Sequence, residues 1–170
     1  ASTYRDFVAA ERRAIATPVS RDYWKTLLRG AEATMLPSTQ QRGGHEIRRF
    51  DVPIAAAHAA RLRSIAQREG LPFKALLTAA HVAVLRAVSG RDEVVTGVIA
   101  NARLEQAGGD DVIGVFLNTL PLRLAVGEGS ILDTARQVFA AEKAALPHRA
   151  YPLGQMLRDL GEELQLDTYV

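Results

Sequence analysis

The chain has 170 residues, 48% of them apolar and 24% charged, with a formal net charge of +2. Those fractions are ordinary for a globular protein and exclude a disordered or collagen-like chain, and the length suits one domain or part of a larger one. Cysteine is absent, which excludes disulfides, thiolate metal sites and thiol catalysis and fits a reducing, cytoplasmic setting.

In chain order, Tyr4, Phe7, Val8 and Ile15 recur at near-helical spacing, with Thr3 placed to cap the helix and Pro18 to end it. Ser20 is placed to cap a second short helix carrying Tyr23, Trp24, Leu27 and Leu28, stopped by Gly30. A polar loop, Pro37 to Gly44, leads into a weakly alternating strand, His45 to Val52. Ala55 to Glu69 reads as a helix with its bulk at Leu62, Ile65 and Ala66, closed by Gly70 and Pro72. From Phe73 the helical template gives Phe73, Leu76, Leu77, Ala80, His81, Val84, Leu85 and Val88, with an alanine-rich opposite face. A helix this apolar on both sides is expected inside a layered domain. It ends at Ser89–Gly90, and the Val/Ile run Glu93 to Ile99 reads as a strand buried on both faces.

A glycine turn at Gly108–Gly109 leads to a strand-like run, Val112 to Leu117. Thr119 to Val126 then alternates, with Leu120, Leu122, Leu124 and Val126 on one face and Thr119, Pro121, Arg123 and Ala125 on the other. Pro121 has no N–H, so this strand lies at an edge or starts there. Ser130 caps a helix to Leu146, with Ile131, Ala135, Val138 and Phe139 facing inward and Pro147 as the stop. A last helix, Leu153 to Leu160, ends at Gly161, and Leu166 to Val170 looks like the opening of a strand. The fold class is α/β, a mixed β-sheet flanked by helices.

Few residues carry chemistry by pattern alone. No two of His45, His58, His81 and His148 have metal-ligand spacing, and no G-x-S-x-G elbow is present. His81 reads as a hydrogen-bonded core or boundary residue and His58 as exposed. Glu105, Asp110 and Asp111 lack the alternation of a calcium loop, and the nearby glycines lack the lysine of a phosphate cradle. The arginines are dispersed and not interleaved with aromatics, so no nucleic-acid partner is expected, and no apolar run is long enough to span a membrane.

The run Ile113-Gly114-Val115-Phe116-Leu117-Asn118-Thr119-Leu120-Pro121-Leu122-Arg123 is more specific. It resembles the I-G-x-F-x-N-T-L-P-L-R motif of condensation domains in nonribosomal peptide synthetases. Tyr4-Arg5-Asp6-Phe7 resembles that family's Y-x-D-F segment, Tyr23-Trp24 with Leu36-Pro37 its Y-W…L-P stretch, and His148-Arg149-Ala150-Tyr151-Pro152 its H-x-x-Y-P motif. The four lie in the family's order.

The resemblance implies a two-lobed, chloramphenicol acetyltransferase-like enzyme with a tunnel between α/β lobes. Donor and acceptor peptidyl carrier proteins bring substrates on phosphopantetheine arms, the acceptor amine attacks the donor thioester, and an amide forms. No cofactor or metal is bound directly. The family's catalytic histidine belongs to an H-H-x-x-x-D-G motif in the first lobe, upstream of Y-x-D-F, and nothing in residues 1–170 matches it. The expectation is therefore a C-terminal lobe, truncated at both ends, inactive without its N-terminal lobe and exposing apolar surface where that lobe packs.

Within this reading Phe116 either lines the tunnel floor or packs in the core. Asn118 and Thr119 either hold local backbone or face a substrate amide. Tyr4, Asp6, Arg103, Gly114, Pro121, Arg123, His148, Tyr151 and Pro152 are motif residues with structural roles. Asn101-Ala102-Arg103 departs from the family's G-R, because alanine restricts positive φ. A recruitment platform of the same fold is the alternative, as are epimerising, heterocyclising or ester-forming relatives.

Overall fold

The structure, a computed structural model, describes residues 2–35 and 49–161. Helices α1 (Tyr4–Ala16), α2 (Pro18–Leu28), α3 (Ala56–Arg68) and α4 (Phe73–Ser89) precede strands β1 (Glu93–Asn101) and β2 (Leu117–Ala125). Helix α5 (Ile131–Ala145), a single 3-10 turn (Leu146–His148) and α6 (Leu153–Leu160) follow. The fold class is α/β, with α4 and α5 packed on one face of the sheet and α2 and α6 on the other. Among the described residues its sheet is one antiparallel pair, registered from Glu93 opposite Ala125 to Asn101 opposite Leu117.

Local chemistry explains the boundaries. In α1 the Thr3 N–H and hydroxyl both donate to the Asp6 carboxylate, at 2.8 and 2.9 Å, which closes the first turn and sets a negative charge at the helix N-terminus. Pro18 starts α2 instead of merely ending α1, since the first helical position needs no N–H. Thr17 is therefore the N-cap, and Ser20 is buried inside the helix, contrary to the capping role expected for it. Gly90 closes α4 at φ 68°, a conformation L side chains resist. Ser130 and Asp133 form a capping box on α5.

Two hydrogen bonds flanking the ladder fix its phase. Val126 N–H donates to the Asp92 carbonyl and Ala102 N–H to the Phe116 carbonyl, both at 2.7 Å. Even-numbered residues therefore exchange the inter-strand bonds, and odd-numbered ones turn their N–H and C=O outward. Pro121 is odd-numbered, so its missing donor lies on the outer edge of β2, where the ladder loses nothing. On the even face Val94, Leu122 and Leu124 pack with Ala75, Leu76, Ala79, Val82 and Leu85 of α4 and with Ala135 and Val138 of α5. On the other face Val95 packs with Leu28, Ala31 and, from α6, Leu157 and Leu160.

Several expectations change. Residues 112–116 are irregular, because Gly114 and the 106–111 turns break the extended run, and the strand begins at Leu117. Of the strand expected over His45 to Val52, residues 49–52 are not a strand and the rest lies outside the described residues, as do Leu36-Pro37 and Leu166 to Val170. Strand β1 is buried on both faces only at Val94–Thr96. Helix α4 buries one face and not two: Leu77, Val84 and Val88 are exposed because α3, α5 and the sheet all approach from the Ala75/Ala79/Val82 side. Ile131 is exposed, and Leu132, one residue on, packs inward in its place. Among the described residues no single helix is long and apolar enough to cross a membrane.

Candidate functional site

Around Gly114 the start of α1 meets residues 102–116. The rings of Tyr4, Phe7 and Phe116 lie with centroids 5.0–5.5 Å apart, and Phe116 is buried. Edge-on aromatic packing of this kind adds to simple area burial. A side chain at position 114 would overlap the Tyr4 ring, placing a Cβ 2.6 Å from its Cε2. Glycine is thus required for space. Tyr4 hydroxyl donates to the Val115 carbonyl at 3.3 Å. Arg103 lays its guanidinium 4.0 Å from the Phe116 ring centroid, while its Nη1 donates to the carbonyls of Gly109 and Val112 at 2.6 and 2.7 Å. The cation is therefore shared between a π face and two loop carbonyls. Ala102 is buried beside Phe7 and Phe116 at an ordinary negative φ, so alanine fits this turn.

The second assembly is centred on Asn118. Its Nδ2 donates to the carbonyls of Arg149 and Tyr151, both at 2.8 Å, and its Oδ1 accepts from Leu153 N–H at 3.1 Å. Two acceptors on one side and a donor on the other fix the amide orientation. The side chain thus holds the H-x-x-Y-P segment as it enters α6, where the Pro152 carbonyl accepts from Gln155 and Met156. Tyr151 is fully buried and donates to the Asp159 carboxylate. Burial, and secondarily that carboxylate, push its phenol up to about 12.

His148 stacks on Tyr23 with centroids 4.1 Å apart and shares a 3.1 Å hydrogen bond between Nδ1 and the Ser20 hydroxyl. Trp24 Nε1 donates to the His148 carbonyl at 3.3 Å. Burial holds the imidazole below the usual histidine range. Arg123, on the odd face, bonds the Glu93 carboxylate at 2.8 Å and the carbonyls of Leu27 and Arg29, each at 2.9 Å. It caps the C-terminus of α2, where a cation is favoured. Asp6 is held below the usual carboxylate range, chiefly by the Thr3 backbone N–H and then by its hydroxyl. Thr119 stands apart from both assemblies, half-buried and opposite Ile99 in the ladder.

The motif residues form a framework whose polar atoms are spent on the chain itself. Tyr4, Arg103, Gly114 and Phe116 come together, as do Asn118, His148, Tyr151 and Pro152. Ser20, Trp24 and Asp159 complete these clusters, and nothing local marks Ser20 or Trp24 as a partner of His148, which lies 128 and 124 positions away. His81 bonds Thr96 at 3.3 Å beneath α4. Among the described residues no group of three or more His, Asp or Glu is placed to hold a metal ion.

Comparison with known proteins gives this framework a context. The Condensation domain family matches residues 1–168. The AMB antimetabolite synthetase AmbE of Pseudomonas aeruginosa is 42% identical over 165 residues, 97% of this chain and 8% of the relative. The malpibaldin synthetase of Mortierella alpina is 30% identical over 149 residues, 85% of the chain and 3% of the relative. The chain thus spans under a tenth of the length of these relatives. Among solved structures, the first condensation domain of the calcium-dependent antibiotic synthetase, in complex with a substrate analogue, superposes with a TM-score of 0.75 at 26% identity over 92% of this chain and 37% of that one. The SgcC5 protein of Streptomyces globisporus shares the fold at a TM-score of 0.79 and 18% identity, over 96% of this chain and 38% of that one.

Proposed function

The chain belongs to the condensation-domain family, and we propose that it is the second lobe of an amide-forming condensation domain of a nonribosomal peptide synthetase. In this reading it supplies one wall of a tunnel whose other wall, with the H-H-x-x-x-D-G histidine, is the N-terminal lobe. Donor and acceptor carrier proteins deliver their substrates on phosphopantetheine arms. The acceptor amine attacks the donor thioester carbonyl, the C–N bond forms, the C–S bond breaks, and the thiol leaves on the donor arm.

The observation that carries this reading is the commitment of the motif's polar atoms. Asn118 uses both amide N–H directions and its carbonyl on residues 149–153, Arg103 serves two loop carbonyls, and Arg123 serves Glu93 and the end of α2. Groups held this way shape a wall and position what packs on it. They do not transfer protons. Phe116 and Asn118 accordingly belong to the framework, and Thr119 is the tunnel-facing candidate that remains. Catalysis by proximity needs both walls, so the chain alone is inactive.

The test supplies donor- and acceptor-loaded carrier proteins to the isolated chain, and to the chain mixed with an N-terminal lobe bearing H-H-x-x-x-D-G. Amide product is expected only in the mixture. Product from the isolated chain overturns the reading, and carrier binding without product in the mixture favours a recruitment platform of the same fold.

A further inference from the structure

The even face of the ladder meets the helices in two core clusters that do not close fully against each other. Val98 and Leu122 belong with Ala141 to the cluster under α4 and α5. Leu120, the preceding even position of β2, belongs with Ala100 and Ala145 to the cluster around Trp24 and Tyr151. Three of these six residues at the seam are alanines, so the side chains of α5 stop short of those rising from the sheet, and a cavity of about 110 Å³ remains between them. An apolar cavity of about 150 Å³ stays dry and accepts benzene, so the space here suits a branched alkyl group of about four or five carbons.

Two charged residues line the same cavity, Lys74 of α4 and Glu142 of α5. The Lys74 ammonium lies 3.0 Å from Glu142 Oε1, yet that oxygen is shut off from solvent and accepts no hydrogen bond among the described residues. A buried carboxylate oxygen without a donor is costly, while the neighbouring ammonium keeps the site close to neutral and disfavours a second cation. We propose that this seam is a binding site for a small neutral molecule with a branched aliphatic body and one hydroxyl or amide donor. The alkyl group fills the gap between the two clusters, and the donor bonds Glu142 Oε1 while Lys74 keeps its ion pair. Neither Lys74 nor Glu142 belongs to the motif framework, and the inference stands apart from the condensation reading.

Methyl NMR of the chain titrated with 3-methylbutan-1-ol tests it. Saturable shifts are expected at the methyls of Val98, Leu120 and Leu122, with a Kd of about 1 mM, within reach of so small a ligand. Ala141→Leu, which extends a helical side chain into the gap, is expected to weaken binding at least about tenfold. Ala100→Val fills the gap from the strand side and gives the same readout should the first variant not fold. 1-Fluoro-3-methylbutane has nearly the same shape and no donor. The preference for the alcohol over the fluoride is expected to fall at least about fivefold in Glu142→Met, which keeps the length of the side chain and removes the acceptor. 3-Methylbutylamine, a cation at neutral pH, is expected to bind at least about tenfold more weakly than the alcohol, because Lys74 already neutralises the carboxylate. Shifts that rise without saturation, or affinity untouched by the filling variants, overturn the site. An unchanged alcohol preference in Glu142→Met overturns the donor contact, and tighter binding of the amine overturns the neutral ligand class.

Discussion

At Gly114 the constraint is the Tyr4 ring and not the backbone, since no positive φ is needed there. Gly114→Ala is therefore expected to cost about 1–3 kcal/mol as overpacking, read as a Tm fall of about 3–10 °C for a chain of this size. Tyr4→Ala should relieve part of it, leaving a coupling of at least about 0.5 kcal/mol in a double-mutant cycle. Asn118 is constrained by bonding. Asn118→Ala strands two carbonyls and an N–H and should cost about 2–4 kcal/mol. Asn118→Asp, the same shape with its donors removed, should be no milder near pH 7 and recover partly in acid, where a protonated carboxyl donates once. His148 adds a pH dependence. Its folded pKa is lowered by burial, so the unfolded chain binds the proton more readily and stability falls as protons are added. The contribution is complete above the ordinary histidine value of about 6.5 and is lost as pH drops from there through the lower folded value. His148→Phe keeps the stacking on Tyr23 and removes the titration, so denaturant midpoints between pH 7 and 5 should fall less for the variant than for the parent.

Helix α4 shows what periodicity conveys and what it omits. Its existence, its start at Phe73 and its glycine cap follow from spacing and turn chemistry. Its inward face does not, because alanines and branched residues cover the whole circumference and either face could be packed. Packing chose the Ala75/Leu76/Ala79/Val82/Leu85 face, where small side chains let α5 and the sheet come close. Leu77→Lys with Val84→Lys should then change stability by no more than about 0.5 kcal/mol in the isolated chain, while Val82→Lys alone should abolish the cooperative transition by burying an unpaired ammonium. Loss of folding in the double variant would show that the solvent-facing side had been assigned to the wrong residues. The same logic covers residues 112–116: a Val/Phe-rich run reads as strand, but the Tyr4 ring and the Arg103 bonds to Gly109 and Val112 hold it irregular. Those are tertiary contacts that no local window contains.

For the whole molecule, the four motif stretches were visible in order along the chain, and their convergence was not. That Asn118 ties residues 149–153, or that His148 meets Ser20 across α2, rests on pairs separated by 31 to 128 positions, and one sequence offers no rule for choosing such partners. The residues left outside the framework then become informative. Ile113, Val115 and Leu117 are 95, 71 and 64% exposed, three bulky apolar side chains within the five residues that lead into β2. Three such side chains represent several kcal/mol of unrealised burial at about 1.5–3 kcal/mol each, which is reasonable only where another surface covers them. If the proposed N-terminal lobe is that surface, Ile113→Thr with Val115→Thr and Leu117→Thr should leave helix content and Tm of the isolated chain within error. The same triple variant should weaken association with an added N-terminal lobe by at least about 100-fold, the equivalent of about 2.7 kcal/mol, and lower amide formation in proportion. A triple variant that unfolds the isolated chain would mean that these residues serve its own core, and unchanged association would place the lobe contact elsewhere on the molecule.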